Sequence, residues 1–99
     1  MRRALVTGAS GGIGAAIARE LARAGFAVIV HANQHMERAA AVVADIVRAD
    51  GQAESVAFDV ADTAACASAL ATLSAAGPIQ VVVNNAGVHD DAVLAGMQP

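Results

Sequence analysis

Ala4-Leu5-Val6-Thr7-Gly8-Ala9-Ser10-Gly11-Gly12-Ile13-Gly14 passes from three apolar residues into a turn with four glycines in seven positions, and an amphipathic stretch then runs to Arg23. The pattern reads as a strand, a tight turn and a helix. Glycines remove the Cβ atoms that would block such a turn and let backbone N–H groups close on something bulky and negatively charged. Unpaired N–H donors and the positive end of the helix dipole favour that charge at a helix start, and a pyrophosphate is the ligand of the right size. A second apolar run, Val28-Ile29-Val30, completes a βαβ unit of about the ~30-residue size that a dinucleotide fold requires. A P-loop is excluded, because Gly14 is followed by Ala15-Ala16 and the chain has no lysine. A turn that is glycine-rich for conformational reasons alone is the competing reading.

The chain has 99 residues, enough for one domain, and 57% of them are hydrophobic. Small aliphatics dominate, with two Phe and neither Trp nor Tyr, which suits helices packed closely on a sheet covered on both faces. A net charge of −3 with six arginines and no basic cluster argues against a nucleic-acid partner. The single Cys66 excludes an internal disulfide and reads as packing rather than as a nucleophile or metal ligand. Met1-Arg2-Arg3 before an uncharged run mimics a signal peptide, but Thr7, Ser10 and the glycines break that run. Residues 63–89 lack charge as well, yet Gly77-Pro78 divides them and Asn84-Asn85 is costly in lipid. The expectation is a soluble, cytoplasmic protein without a membrane partner.

Gly25, Gly51 and Gly77 recur every 26 residues, each after a helix-like stretch and before a strand-like one. Each is placed to close a helix in the left-handed conformation. The expected apolar stripes are Ile13, Ala16, Ile17 and Leu21 on the first helix, Met36, Ala39, Ala40, Val43, Ile46 and Val47 on the second, and Cys66, Ala69, Leu70 and Leu73 on the third. Strands are expected at 28–30, 55–58 and 79–83, the last a β-branched run of the kind found in a central strand. Such alternation predicts an α/β fold, the amino-terminal half of a Rossmann-like doubly wound parallel sheet with strand order 3-2-1-4. The third helix falls on the opposite face from the first two. A crevice opens between strands one and four, with the glycine turn and Asn84-Asn85-Ala86-Gly87 both facing it. Residues 1–99 thus read as an incomplete dinucleotide-binding domain whose fourth strand has a free edge.

An NAD site places an acid about 20 residues past the glycines, at the end of the second strand, to bind the ribose 2′-hydroxyl. Here Ala32-Asn33 occupies that position, no acid occurs between Glu20 and Glu37, and Asn33, His35 and Arg38 are donors. NADP(H) is therefore favoured over NAD(H). His31 and His35 read equally as loop polarity, and Arg38 as a solvated helix residue. Asp59, at the end of the third strand, either accepts a bond from an adenine amino group beside Val60 or simply terminates the strand. Asp62 is the better N-cap of the third helix. Asn84 and Asn85 bring two amides to the crevice, or merely end a strand in a turn. His89, Asp90 and Asp91 read as a polar loop rather than a metal or acid–base site.

Thr7-Gly8-x-x-x-Gly12-x-Gly14, Asp59-Val60 and Asn84-Asn85-Ala86-Gly87, at these separations, resemble the short-chain dehydrogenase/reductases over the whole chain. Val88 to Met97 resembles the stretch after the Asn-Asn-Ala-Gly motif in 3-oxoacyl-[acyl-carrier-protein] reductases, enzymes of fatty-acid synthesis. The resemblance implies cofactor contacts at Gly8, Ser10, Gly12, Ile13, Gly14, Asn33, Asp59, Val60, Asn85, Ala86 and Gly87. NADPH-using members commonly carry Arg where this chain has Gly11, which leaves Asn33 and its neighbours to hold the 2′-phosphate. The family's tyrosine acid, its activating lysine, its serine and its helical asparagine belong to segments beyond Pro99. The chain has no Tyr and no Lys, so catalytic residues are expected outside it and hydride transfer is not expected of it alone. The resemblance further implies an acyl-carrier-protein thioester as substrate and a homo-tetramer for the complete enzyme. Another short-chain reductase, acting on acetoacetyl-CoA, a sugar or a steroid carbonyl, and a non-catalytic nucleotide-binding module are the alternatives.

Overall fold

A computed structural model describes residues 1–85. Its elements are β1 (Arg3–Thr7), α1 (Gly12–Arg23), β2 (Ala27–Ala32), α2 (Met36–Arg48), β3 (Gln52–Ala57), α3 (Thr63–Ala75) and β4 (Val81–Asn84). All strand pairs are parallel and the order is β3-β2-β1-β4, as the alternation of helix and strand requires. Leu5 lies level with Ile29 on one side and with Val82 on the other, so these three share one face of the sheet.

The two faces are unequally covered. On one, Val6, Val28 and Val30 pack with Ala15 and Ala18 of α1 and Ala39, Val42 and Ile46 of α2. On the other, Leu5 and Ile29 meet Leu73 of α3, with Val56 and Ile79 alongside. α3 therefore does lie opposite α1 and α2. Val82 and Leu70 on that thinner side stay 44% and 38% exposed.

Several elements depart from their expected bounds. β2 runs on through His31 and Ala32, because its pairing with β3 continues to Ala32–Ala57. β3 begins at Gln52 rather than Ser55 and ends before Phe58, so polar Gln52 and Glu54 belong to it; an outer strand needs only its inward residues to be covered. β4 starts at Val81 rather than Ile79, and among the described residues it is the edge strand that the order 3-2-1-4 implies.

The helix stripes also turn. α1 buries Gly14, Ala15 and Ala18 while Ile13 is 70% exposed, because small residues set the close approach of α1 to the sheet. In α2, Ala39, Val42 and Ile46 are buried, whereas Met36, Ala40 and Val47 face out. α3 buries Leu73 alone, leaving Cys66 and Ala69 half-buried.

The helix ends follow local chemistry. Asp62 caps α3, its carboxylate accepting the Ala65 N–H at 3.0 Å. Gly25 and Gly77 adopt positive φ as expected. After α2 the left-handed residue is Asp50, at φ 69°, and not Gly51. Gly51 is needed for space: an added Cβ would stand 2.7 Å from the Ile46 side chain.

Candidate functional site

At the junction of β1 and α1, the glycine turn places Gly8 and Gly12 at φ 62° and 60°, where a Cβ is disfavoured. Gly11 is the N-cap of α1 and offers no side chain, and the first helical turn carries no acid. The donors at this helix start are therefore left to something other than a cap. Among the described residues, the N–H groups of Ser10, Gly11, Gly12, Ile13 and Gly14 donate to no protein group. A Cβ on Gly11 or Gly12 would meet nothing within 4 Å, so the space in front of the turn is open.

Gly14 does the opposite. A Cβ there would run into the Gly8 carbonyl oxygen and stand 2.6 Å from Asn85 Nδ2. The start of α1 thus rests directly on the turn's backbone.

Three strands hold the turn from behind. The Thr7 hydroxyl lies 3.1 Å from Asn84 Oδ1 and accepts the Asn85 N–H at 3.0 Å, while Asn85 Nδ2 donates to the Gly8 carbonyl at 3.0 Å. Both amides expected to open onto the crevice are thus engaged with the end of β1. From β2, His31 Nδ1 accepts the Gly8 N–H at 3.0 Å and the His31 carbonyl accepts the Ala9 N–H at 2.8 Å. The His31 Nε2 atom lies 2.7 Å from the Phe58 carbonyl oxygen, and the two rings stand 4.2 Å apart.

Reading His31 as loop polarity is therefore wrong. It is completely buried within β2, and burial holds its pKa below the ordinary histidine value, opposed by the bond to Phe58. Ending β2 at Val30 hid it; the pairing partner that extends the strand lies 25 residues further on, at Val56. His35 is exposed, with Nδ1 3.5 Å from the Glu37 carboxylate.

Asn33 and Val60 are brought together. Asn33 Oδ1 accepts the Val60 N–H at 2.9 Å, which leaves its NH2 as the donor end of the side chain. Asp59 accepts the Ala61 N–H at 2.9 Å through one carboxylate oxygen, which makes it a turn former at the end of β3 with a second oxygen in hand. Cys66 Sγ approaches the Asp59 and Val60 carbonyls at 3.6 and 3.4 Å. Burial first, and then Asp62 and Asp59, push its thiol pKa up, which favours the protonated thiol.

Arg3 lies at the far end of the sheet, donating to the Leu73 and Gly77 carbonyls at 2.7 and 2.6 Å, and Arg2 stacks over Phe26. A groove lined by Arg19, Ala22, Asp45, Ile46, Asp50 and Gly51 lies at the C-terminal end of α1, away from the turn, and is bridged by the Arg19–Asp45 pair. Ala86, Gly87, His89, Asp90 and Asp91 lie outside the described residues.

The sequence model of the short chain dehydrogenase family matches residues 2–99. The chain belongs to that family. Among solved short-chain dehydrogenase structures, a metagenomic short-chain oxidoreductase in complex with NADP superposes with a TM-score of 0.84 at 46% identity, covering 88% of this chain and 39% of that one. A 3-oxoacyl-[acyl-carrier-protein] reductase of Synechocystis sp. is 43% identical over 96% of this chain and 39% of its own length. A phenolphthiocerol synthesis polyketide synthase type I of Mycobacterium bovis is 40% identical over 96% of this chain and 5% of its own length. The chain thus spans well under half the length of these relatives. Among the described residues of this short-chain dehydrogenase, no helix is long and apolar enough to cross a membrane.

Proposed function

We propose that this chain is the dinucleotide-binding half of an NADPH-dependent short-chain reductase that reduces a 3-oxoacyl-[acyl-carrier-protein] thioester to its 3-hydroxyacyl form in cytoplasmic fatty-acid synthesis. The observation that carries the reading is the row of amide donors from Ser10 to Gly14, paired with nothing among the described residues, with open space around Gly11 and Gly12. A pyrophosphate fits such donors, and Gly8, Ser10, Gly12, Ile13 and Gly14 would hold it. Asn33, exposed and with Oδ1 already accepting from Val60 so that its NH2 is the donor end, suits a 2′-phosphate better than an acid would. Asp59 and Val60 would flank the adenine, while Asn85, Ala86 and Gly87 would line the nicotinamide side. NADP in the metagenomic relative supports the choice of cofactor. When bound, the cofactor supplies hydride; this chain's own residues bind and orient it.

The substrate assignment draws on the Synechocystis relative and on the resemblance after the Asn-Asn-Ala-Gly motif. With neither Tyr nor Lys in the chain, the acid and its activator are assigned outside it, and the isolated chain is inactive in this reading. A complete tetramer is part of the same proposal. The polyketide synthase relative favours a second reading, in which this half-fold is one part of a far larger multienzyme.

Calorimetric titration of the intact protein with NADPH and NADH, followed by turnover on 3-oxoacyl-carrier-protein, acetoacetyl-CoA, sugar and steroid ketones, tests the proposal. Micromolar NADPH binding with preferential reduction of the carrier-protein thioester is expected. Absence of binding to either nucleotide refutes it.

A further inference from the structure

Of the described polar side chains, His31 and Thr7 alone are buried, and nothing in the reading above gives His31 a ligand. Both of its ring nitrogens are nonetheless committed. The Gly8 amide can only donate, so Nδ1 is the bare acceptor and the ring proton is on Nε2, pointing at the Phe58 carbonyl. The same residue's carbonyl takes the Ala9 N–H. One residue of β2 therefore ties down the first two amides of the glycine turn.

The two peptide groups flanking Gly8 are held from both sides, by β2 and by the residue after β4. The Gly8 N–H goes to His31 on the β2 side and the Gly8 C=O accepts from Asn85 on the β4 side, with Gly8 itself at φ 62°. With Gly8 held on both sides, the next amides, from Ser10 to Gly14, are the ones that donate to no protein group among the described residues. Phe58 immediately precedes Asp59-Val60, and Asn33, two residues past His31, accepts the Val60 N–H. The end of β2 thus couples the turn to the segment assigned to the adenine.

We infer that His31, as the Nε2–H tautomer, is a positioning residue for dinucleotide binding: it acts through the Gly8 amide to orient the phosphate-facing donors. This rests on the nucleotide-binding reading above. The tautomer is enforced from both sides, since a doubly protonated ring would set an N–H against the Gly8 N–H. The low pKa of the buried ring agrees with this.

The acceptor at Nδ1 is what matters, so replacements should sort by it. Asn carries Oδ1 close to the Nδ1 position; Leu fills space and accepts nothing. NADPH titration of the intact protein should show the dissociation constant raised about tenfold to a hundredfold in His31→Leu, as for a buried donor left unpaired. His31→Asn should stay within about threefold of wild type. In the wild-type protein, 15N spectra of the imidazole should show an unprotonated Nδ1 and a protonated Nε2. Should His31→Leu fail to fold, the Asn variant and the imidazole spectrum decide the matter.

Wild-type NADPH affinity in His31→Leu, a His31→Asn variant that binds no better than His31→Leu, or a proton found on Nδ1 would overturn the inference while leaving the nucleotide-binding reading intact. A wild-type protein that binds neither NADPH nor NADH would instead refute that reading.

Discussion

Replacing Gly14 by alanine puts a single methyl group where α1 rests on the glycine turn. The new Cβ would overlap the Gly8 carbonyl oxygen, stand 2.6 Å from Asn85 Nδ2 and lie 3.0 Å from Ala9 Cα. Two of those neighbours are backbone and cannot swing away, so the start of α1 has to lift from the turn. Lifting it costs about 1–3 kcal/mol for overpacking. Separating Asn85 from the Gly8 carbonyl adds about 1 kcal/mol. Alanine's better helix propensity returns at most about 1 kcal/mol. The net expectation is a loss of about 1–3 kcal/mol in urea unfolding, with weaker NADPH binding because the displaced residues are the proposed donors. Gly11→Ala is the matched control: its Cβ meets nothing within 4 Å and its φ of −177° suits any residue. That control should change stability by less than about 1 kcal/mol, because the unfolded-chain entropy that favours alanine by about 0.4–1 kcal/mol is offset by alanine's poor fit to an N-cap. A Gly14→Ala protein as stable as Gly11→Ala, with unchanged NADPH affinity, would refute the close-approach argument.

Gly11→Arg should raise selectivity for NADPH over NADH by up to about tenfold, read from the ratio of the two dissociation constants, because the exposed N-cap has room for a guanidinium that can meet a 2′-phosphate. Asp62→Ala should cost about 0.5–2 kcal/mol in chemical unfolding through the lost bond to the Ala65 N–H, with nucleotide affinity nearly unchanged. Acid should destabilise the fold through His31. Its folded pKa lies below the ordinary value, so the unfolded chain binds more protons once the pH falls under about 6.5. This contribution is complete above about pH 6.5 and declines below it by up to about 1.4 kcal/mol per pH unit, until the folded histidine itself protonates. Unfolding curves collected between about pH 7.5 and 5 should flatten in His31→Asn; equal slopes in the two proteins would count against the buried neutral ring.

The course of the chain was legible from Thr7 to Gly14 onward. Glycine spacing, three helix-to-strand junctions and the right-handed crossover rule were enough for a parallel sheet ordered 3-2-1-4, and Asp62 announced its own helix. These are local signals: they act through backbone sterics, caps and chirality, which neighbouring residues decide among themselves.

What sequence alone left undecided is how residues distant in the chain divide space and donors. Ile13 and Met36 are expected inward but stay exposed, and on α1 it is Gly14, Ala15 and Ala18 that take the interior, because a helix can approach a sheet more closely on its small residues. His31 passed for a loop residue until β2 paired with β3, and the Asn84-Asn85 amides looked free until β4 came beside β1. A hydrogen-bond partner 23 or 77 residues away leaves no periodicity in a sequence window. The local sequence therefore determined that donors would gather at the head of α1, and the assembled sheet decided which were consumed holding the turn and which remained to face a ligand.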